Sequence, residues 1–448
     1  MREERERGAG REAREARDVR AEAERLLSTR QVADRLGVKP ETVYAYVSRG
    51  LLHSHREPGG RGSWFDAREV EELSLHTRQA SAADGGKPAQ PFIATELTLL
   101  SDGGLYYRGR DVARLAETEP FESVAGLLWT GRLEPVTFTA APQASDLVRK
   151  VANAMPGAAR LPDLLHVIPS IAAASDPLRF DLHPESVRAA AAGLLAVMVE
   201  ALPSRTAHAV DIDIDIDIDI EANVDEGPDP SSSPIARRLW PKLTAQPATD
   251  HGIRALNAAL VVLADHDLAV STLAGRVAAS ARAHPYAVVS AALGAFDGPL
   301  HGAAGSHAYR LVTDALRSGD PVAAYADRLR TQGRVEGFGH AAYPDGDPRA
   351  RILLALLDAA GDEFPAHVRA TADGLRAAAS RRGPGLPNVD FALPLLAHAY
   401  DMVPDAGEVI FIIARTVGWI AHALEEYEEP AMRFRYQGAY RGVMPSRG

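Results

Sequence analysis

The chain has no cysteine among its 448 residues. That excludes disulfides, thiolate nucleophiles, cysteine-ligated zinc and iron–sulfur clusters, and leaves any chemistry to other side chains. It fits a reducing compartment, and a cytoplasmic protein is expected. Long apolar runs are also missing: stretches such as Ala189 to Val199 are too short to span a bilayer. The opening MREERERGAGREAREARDVR lacks the apolar core of a secretory signal. No membrane partner is expected. Positive charge is in deficit, with 49 Lys plus Arg against 60 Asp plus Glu and a net charge of −11. Such a balance argues against a protein whose whole surface binds nucleic acid. At roughly 150 residues per domain, the length suggests about three domains.

The charge is unevenly spread. Residues 1–26 sum to zero and residues 27–79 to +1, so the remainder carries −12. A small N-terminal module on a larger acidic body is the simplest account. Residues 1–26 hold few apolar side chains and pair opposite charges at helical spacing, as in Arg2 with Glu6, which describes a solvated helix or a disordered arm.

Residues 28–51, STRQVADRLGVKPETVYAYVSRGL, predict two short helices. Ser28 or Thr29 caps the first, Gly37 permits a left-handed turn, and Pro40 sits in the first turn of the second, where a missing N–H costs nothing. Pro58, Gly59, Gly60 and Gly62 mark a hairpin tip, and Asp66 caps a further helix carrying Val70 and Leu73. Residues 27–75 thus resemble the winged helix-turn-helix of MerR-type regulators and phage excisionases. In a DNA-binding role the Pro40–Arg49 helix would enter the major groove, with Lys39, Thr42, Tyr44 and Arg49 as contacts and Arg56 and Arg61 on the wing. The alternative is a protein-interaction or structural appendage, since a local charge of +1 is small for phosphate neutralisation.

Residues 76–90 read as a linker. From Pro91 onward, Ala/Leu-rich segments at helical spacing predict a mainly α body; Pro184–Ala201, Arg254–Ala264, Ala287–Ala295 and Arg349–Ala360 are examples. A hairpin with its turn at Asp102-Gly103-Gly104 is the clear β signal. Residues 211–220 are DIDIDIDIDI, and residues 206–248 are expected to be a low-complexity, mobile surface insertion. The repeat lacks the turn glycine and terminal Glu of a calcium loop, so no metal is expected.

Four segments of the body hold polar residues that suit a site better than a core: Asp265-His266-Asp267; Gly298-Pro299-Leu300-His301-Gly302; Gly337-Phe338-Gly339-His340 followed by Asp347-Pro348-Arg349; and Pro387-Asn388-Val389-Asp390-Phe391. Arg415 interrupts the apolar FIIARTVGWIAHAL. Taken singly, the histidines are compatible with core or capping roles, Asp265 and Asp390 with helix caps, and Arg349 with a structural ion pair. Together they suit binding of a multiply charged carboxylate and removal of a proton beside a carbonyl.

These motifs, with LYYRGRDVARLAETEPFESVAGLLWTGRLEP at 105–135, resemble the citrate synthase family over 91–448. The resemblance implies a two-domain, all-helical fold with a smaller subdomain at roughly 302–395. It implies condensation of acetyl-CoA with oxaloacetate and water to citrate and CoA in the tricarboxylic acid cycle, with propionyl-CoA and 2-methylcitrate as the variant. A DNA-binding regulator with a ligand-sensing body is the alternative from another class. By the resemblance, Asp390 is the base, His301 holds the thioester oxygen, and His340 polarises the ketone. His266, Arg349 and Arg415 bind carboxylates, and Arg433 is donated by the partner subunit of a homodimer, with Arg435 as its alternative. Acetyl-CoA enters as substrate, and no tightly bound cofactor is implied. The chain departs from the family pattern at Ala303, Gly305, Ser306, Ala269 and Pro344, positions that approach the CoA site in the family.

Overall fold

The computed structural model describes residues 26–36, 38–55, 63–66, 69–70, 73, 93–101, 103–205, 233–302, 304–381, 385–435 and 442. They fall into two compact units divided between Ala94 and Thr95. The arm before residue 26, the 76–90 linker, wing residues Arg56 and Arg61 and the Asp-Ile repeat lie outside the described residues.

In the first unit, helices Thr29–Leu36 and Pro40–Ser48 pack with a three-stranded antiparallel sheet. Ser28 caps the first helix: the Gln31 side chain accepts from Ser28 N at 2.9 Å while Gln31 N donates back to Ser28 Oγ at 3.4 Å. Pro40 begins the second helix with Lys39 as its N-cap. Val32, Ala33, Val43, Leu52, Phe65, Val70 and Leu73 form the core. The sheet pairs Ser54–His55 with Trp64–Asp66, as the wing requires. It also gains Leu26–Ser28 as a third strand, which the polar sequence before residue 26 had not announced.

The second unit opens on a hairpin, Thr98–Ser101 paired with Gly104–Tyr107 and with Ser101 opposite Gly104. Gly103 takes φ +71°, the left-handed value such a tight turn needs. The rest is helical. The expected helices appear as Pro184–Glu200, Asp250–Leu263, Pro285–Phe296 and Pro348–Ala359.

At the centre runs Ala406–Glu428, packed against Asp250–Leu263, Val270–Ser280, Pro285–Phe296 and Pro184–Glu200. Contrary to the expectation from apolar runs, this helix is long and apolar enough to cross a membrane by length and composition. Its apolar window is 83% buried in the fold, so it is a core helix. Gly418 lets it approach the Ala264–Asp265 backbone: an added Cβ would lie 2.4 Å from Ala264 O and 2.5 Å from Asp265 Oδ1.

The expected insertion at 206–248 needs correction at its C-terminal end. Ile235–Leu243 is a helix whose Ile235, Leu239, Trp240 and Leu243 are buried in the main core. Trp240 Nε1 donates to Gln246 O at 2.9 Å, and its ring meets Tyr400 edge-on. The turn-rich EGPDPSSSP that precedes it masked the apolar 3–4 spacing of Ile235, Leu239 and Leu243.

Candidate active site and nucleic-acid interface

His266 follows the Asp250–Leu263 helix in a tight loop where Asp267 adopts φ +54°, a conformation that Asp tolerates better than most residues. The loop is pinned beneath His266. Asp265 is fully buried, takes a 2.5 Å hydrogen bond from Thr98 Oγ1, and lies 3.3 Å from His422 Nε2. Burial pushes the Asp265 carboxyl up, but His422 and Arg415 outweigh it and hold the group below its ordinary range. Tyr107 OH donates to Asp265 O at 2.9 Å.

His301 sits in the turn between Pro285–Phe296 and the helix Ala304–Ser318. Its Nε2 is 2.7 Å from Ser271 Oγ, which accepts from Trp419 Nε1 at 3.2 Å. With the Ser271 proton directed at Nε2, the neutral imidazole carries its own proton on Nδ1. Burial and the nearby Arg415 push the His301 pKa down to about 4, so the ring is neutral at physiological pH and serves as an N–H donor.

The segments bearing His340 and Asp390 are tied back to back. Phe338 and Pro387 form an antiparallel bridge. Gly339 N donates to Leu386 O at 2.8 Å and Asn388 N to Gly337 O at 2.9 Å. The Asn388 side chain closes the tie, accepting from Asp390 N at 2.9 Å and donating to Gly339 O at 2.8 Å. Gly337 is required twice over. Its φ is +93°, and an added Cβ would lie 3.1 Å from Phe391 Cβ. His340 Nδ1 accepts from Ala342 N at 3.2 Å, leaving Nε2–H as the outward donor. Desolvation and Arg349 lower its pKa.

Asp390, at the start of the helix Val389–Ala399, is raised to about 6 by burial, with Arg349 opposing and Asp347 and Glu336 reinforcing the shift. A carboxyl so placed is a stronger base than a free aspartate yet remains ionised near neutral pH. Arg349 is buried and paired in bidentate fashion with Asp347 at 2.9 and 2.8 Å. Asp347 in turn accepts from Val389 N at 3.0 Å, joining this pair to the Asp390 helix.

His266 Nε2 hydrogen-bonds Tyr343 OH at 2.8 Å, and the His266, His340 and Tyr343 rings meet with centroids 5.0–5.4 Å apart. The Arg349 guanidinium stacks over Tyr343. Arg415, 1% exposed, donates to Leu263 O at 2.8 Å, while its Nη2 has no partner among the described residues. Burial depresses its pKa to about 10, which still leaves it charged at neutral pH.

The structure thus gathers His266, His340, Arg349, Arg415 and Asp390, and Gly302 beside His301 lines a cleft shared with Asp390. It does not bring Arg433 to them. That residue grips Glu426 in bidentate fashion at 2.7 and 2.6 Å, beside Met432, whose N donates to Ser280 O. Ser280 lies at the opposite end of the Val270–Ser280 helix from Ser271, roughly 13 Å along its axis. Sequence reasoning missed Ser271, Tyr343 and His422. For Ser271 and His422 the only signal was a polar residue inside an apolar stretch, and for Tyr343 an aromatic ring in a Gly/Pro-rich turn.

On the N-terminal unit, Lys39, Tyr44 and Arg49 are exposed and Thr42 is half-buried along the Pro40–Ser48 helix.

The fold is helical, and histidines and a carboxyl of raised pKa stand together around buried arginines. Residues 89–437 match the family model "Citrate synthase, C-terminal domain", and the chain belongs to the citrate synthase family; residues 26–73 match a helix-turn-helix domain. The chain is 33% identical over 227 residues to a citrate synthase of Saccharolobus solfataricus, covering 48% of this chain and 58% of that one. It is 29% identical over 373 residues to 2-methylcitrate synthase 2 of Corynebacterium glutamicum, covering 76% and 90%. Of the first relatives it matches, the chain therefore spans little more than half the length. In fold it is similar to a citrate synthase of Thermoplasma acidophilum solved as a ternary complex with carboxymethyl coenzyme A and oxaloacetate. The TM-score there is 0.62 at 22% identity, over 80% of this chain and 95% of that one.

Proposed function

We propose that this chain condenses a short acyl-CoA with oxaloacetate, giving citrate from acetyl-CoA or 2-methylcitrate from propionyl-CoA. The observation that carries it is the tie at Gly337–Gly339 and Leu386–Asn388, which holds a base of raised pKa beside the neutral donor His340. In this reaction Asp390 takes a proton from the carbon next to the thioester. His301 donates to the thioester oxygen as negative charge gathers there, and without that donor a carboxylate is too weak a base for the step. The new carbanion equivalent attacks the ketone carbon, forming the C–C bond, while His340 donates to the ketone oxygen as it becomes a hydroxyl. Water then cleaves the thioester, releasing CoA with its thiol protonated. His266, Arg349 and Arg415 orient the dicarboxylate.

The homodimer with Arg433 contributed in trans, movement of a 302–395 subdomain and a cytoplasmic setting belong to this same proposal. Release of CoA thiol from acetyl-CoA or propionyl-CoA with oxaloacetate tests it, because the protein itself has no cysteine to react with the reagent. Turnover no greater than that of Asp390→Asn would refute it.

A second role, DNA binding through residues 27–75, is supported by the exposed Lys39, Tyr44 and Arg49. Mobility-shift titration at several salt concentrations tests it. Specific binding weakens with salt and is lost in Arg49→Ala, whereas purely nonspecific retention would count against the role.

A further inference from the structure

His301 stands in a turn with little packing of its own. Leu300, beside it, is 79% exposed, and Asp297 and Pro299 are exposed as well. Two backbone bonds close the turn: His301 N donates to Gly298 O and Gly302 N to Phe296 O, both at 2.9 Å. Gly302 fits because it has no side chain, since an added Cβ would lie 2.2 Å from the Phe296 ring. These bonds set the shape of the turn but not its place against the rest of the fold. Ser271 holds the tip of the imidazole. The backbone beneath it is held by a chain of charges.

Arg160 is the hub of that chain. It caps the helix Leu161–Ser175, where its N donates to Asp163 Oδ2 at 2.8 Å. Its guanidinium reaches both ends of the His301 turn. Nη2 lies 3.7 Å from Asp297 Oδ1, four residues before His301. Nη1 lies 3.3 Å from Glu408 Oε2, and Glu408 accepts from Ser306 Oγ, five residues after His301. The two arms are unequal. Arg160 and Asp297 are 40% and 56% exposed, and ion pairs so exposed contribute little. Glu408 is 5% exposed, and without Arg160 it would be a buried charge with no cation beside it. Burial pushes its carboxyl up, while Ser306 and Arg160 oppose the shift. Arg160 and Glu408 belong to none of the sequence motifs, and Ser306 is a position at which the chain departs from the family pattern.

We propose that Arg160 and Glu408 are positioning residues for His301. Through Asp297 and Ser306 they staple the turn that aims the imidazole at the thioester oxygen. The catalytic half of this inference rests on the condensing activity proposed above; the tethering of the turn does not.

Two measurements on the full chain test it together: steady-state CoA release and amide hydrogen exchange. Glu408→Gln and Arg160→Met should each lower kcat by about 10- to 100-fold, since a displacement of ~1 Å in a catalytic group can cost ~10²-fold. The KM for oxaloacetate should not change, and Arg160→Lys, which keeps the charge, should recover part of the rate. In the same two variants the His301 and Gly302 amides should exchange about tenfold faster, while those of the Asp250–Leu263 helix keep their protection. Ser306→Ala breaks one arm alone and should show the same pattern in weaker form, which keeps the test sound if Glu408→Gln folds poorly. A lower kcat without faster exchange in the turn, faster exchange without a lower kcat, or protection lost evenly across the second unit overturns the assignment. A parent chain that releases no CoA overturns the condensing activity instead, and exchange in the turn then decides the tether by itself.

Discussion

His422 Nε2 faces Asp265 Oδ2 at 3.3 Å, with both side chains fully buried, while the buried Arg276 Nη1 lies 2.9 Å from His422 Nδ1. Since Arg276 can only donate, Nδ1 accepts and the His422 proton lies on Nε2, directed at Asp265. Arg276 also binds Glu425 and Glu426 at 2.8 and 3.0 Å. Removing one member of such a network leaves the others buried and uncompensated. His422→Leu is expected to cost about 1–3 kcal/mol of stability or more, the scale for leaving buried polar groups without a partner. Equilibrium unfolding in urea measures it, and a loss under about 1 kcal/mol would show that water or repacking replaces the imidazole.

Ser271 offers a cleaner separation of catalysis from folding. It touches no proposed substrate atom and orients His301 through Nε2. Ser271→Ala should lower kcat by on the order of 10–100-fold, the scale for losing an orienting partner of an imidazole, with little change in the KM for oxaloacetate. Steady-state kinetics decide the matter; a rise in KM at constant kcat would move Ser271 from orienting His301 to binding substrate.

The raised pKa of Asp390 has two consequences. The rate should fall on the acid side with a midpoint near pH 6, where the base takes up its proton. The stability effect has a definite sign. A free aspartate ionises near 3.9, so between about pH 4 and 6 the native state holds a proton that the unfolded chain has lost. The stabilisation this gives disappears as pH rises through that window, and above it the buried carboxylate is a liability of order 1–3 kcal/mol. Asp390→Asn should therefore abolish turnover and raise the Tm at pH 8, with a smaller gain at pH 4. Thermal melts at the two pH values test this, and an equal shift at both would remove ionisation as the cause.

Gly418→Ala should be strongly destabilising, because the new methyl would press on the Ala264 carbonyl and the Asp265 carboxylate. A loss of about 1–3 kcal/mol is the usual scale for overpacking a tight core. A loss of oxaloacetate affinity should accompany it, since His266 follows directly on that backbone. Calorimetric titration with oxaloacetate reads the second effect.

The helices were legible because their apolar residues recur at helical spacing, and His301 and His340 because they break that spacing beside glycines, while His266 stood out between two aspartates. The partners were not. Asp265 looked like a cap, and it proved to be buried under His266. Arg349 was expected to face substrate, yet two of its nitrogens are engaged by Asp347, two residues earlier in the same motif. Ser271, Tyr343 and His422 come from distant points in the chain, and no local pattern states which of them meet. The Ile235–Leu243 helix was hidden by the low-complexity stretch before it. Length and composition alone would suit a membrane span for the Ala406–Glu428 helix, and its burial is decided by the helices packed around it.

The close approach at Gly418 has a mechanical consequence. It clamps the long helix to the His266 loop, and Arg415, Trp419 and His422 extend the clamp to Leu263, Ser271 and Asp265. His301, held by Ser271, belongs to that block. Asp390, His340 and Arg349 form another, cross-braced by Asn388 and Asp347. The two clusters meet where His266 bonds Tyr343 at 2.8 Å, so a disturbance at Gly418 is passed to both His301 and His340.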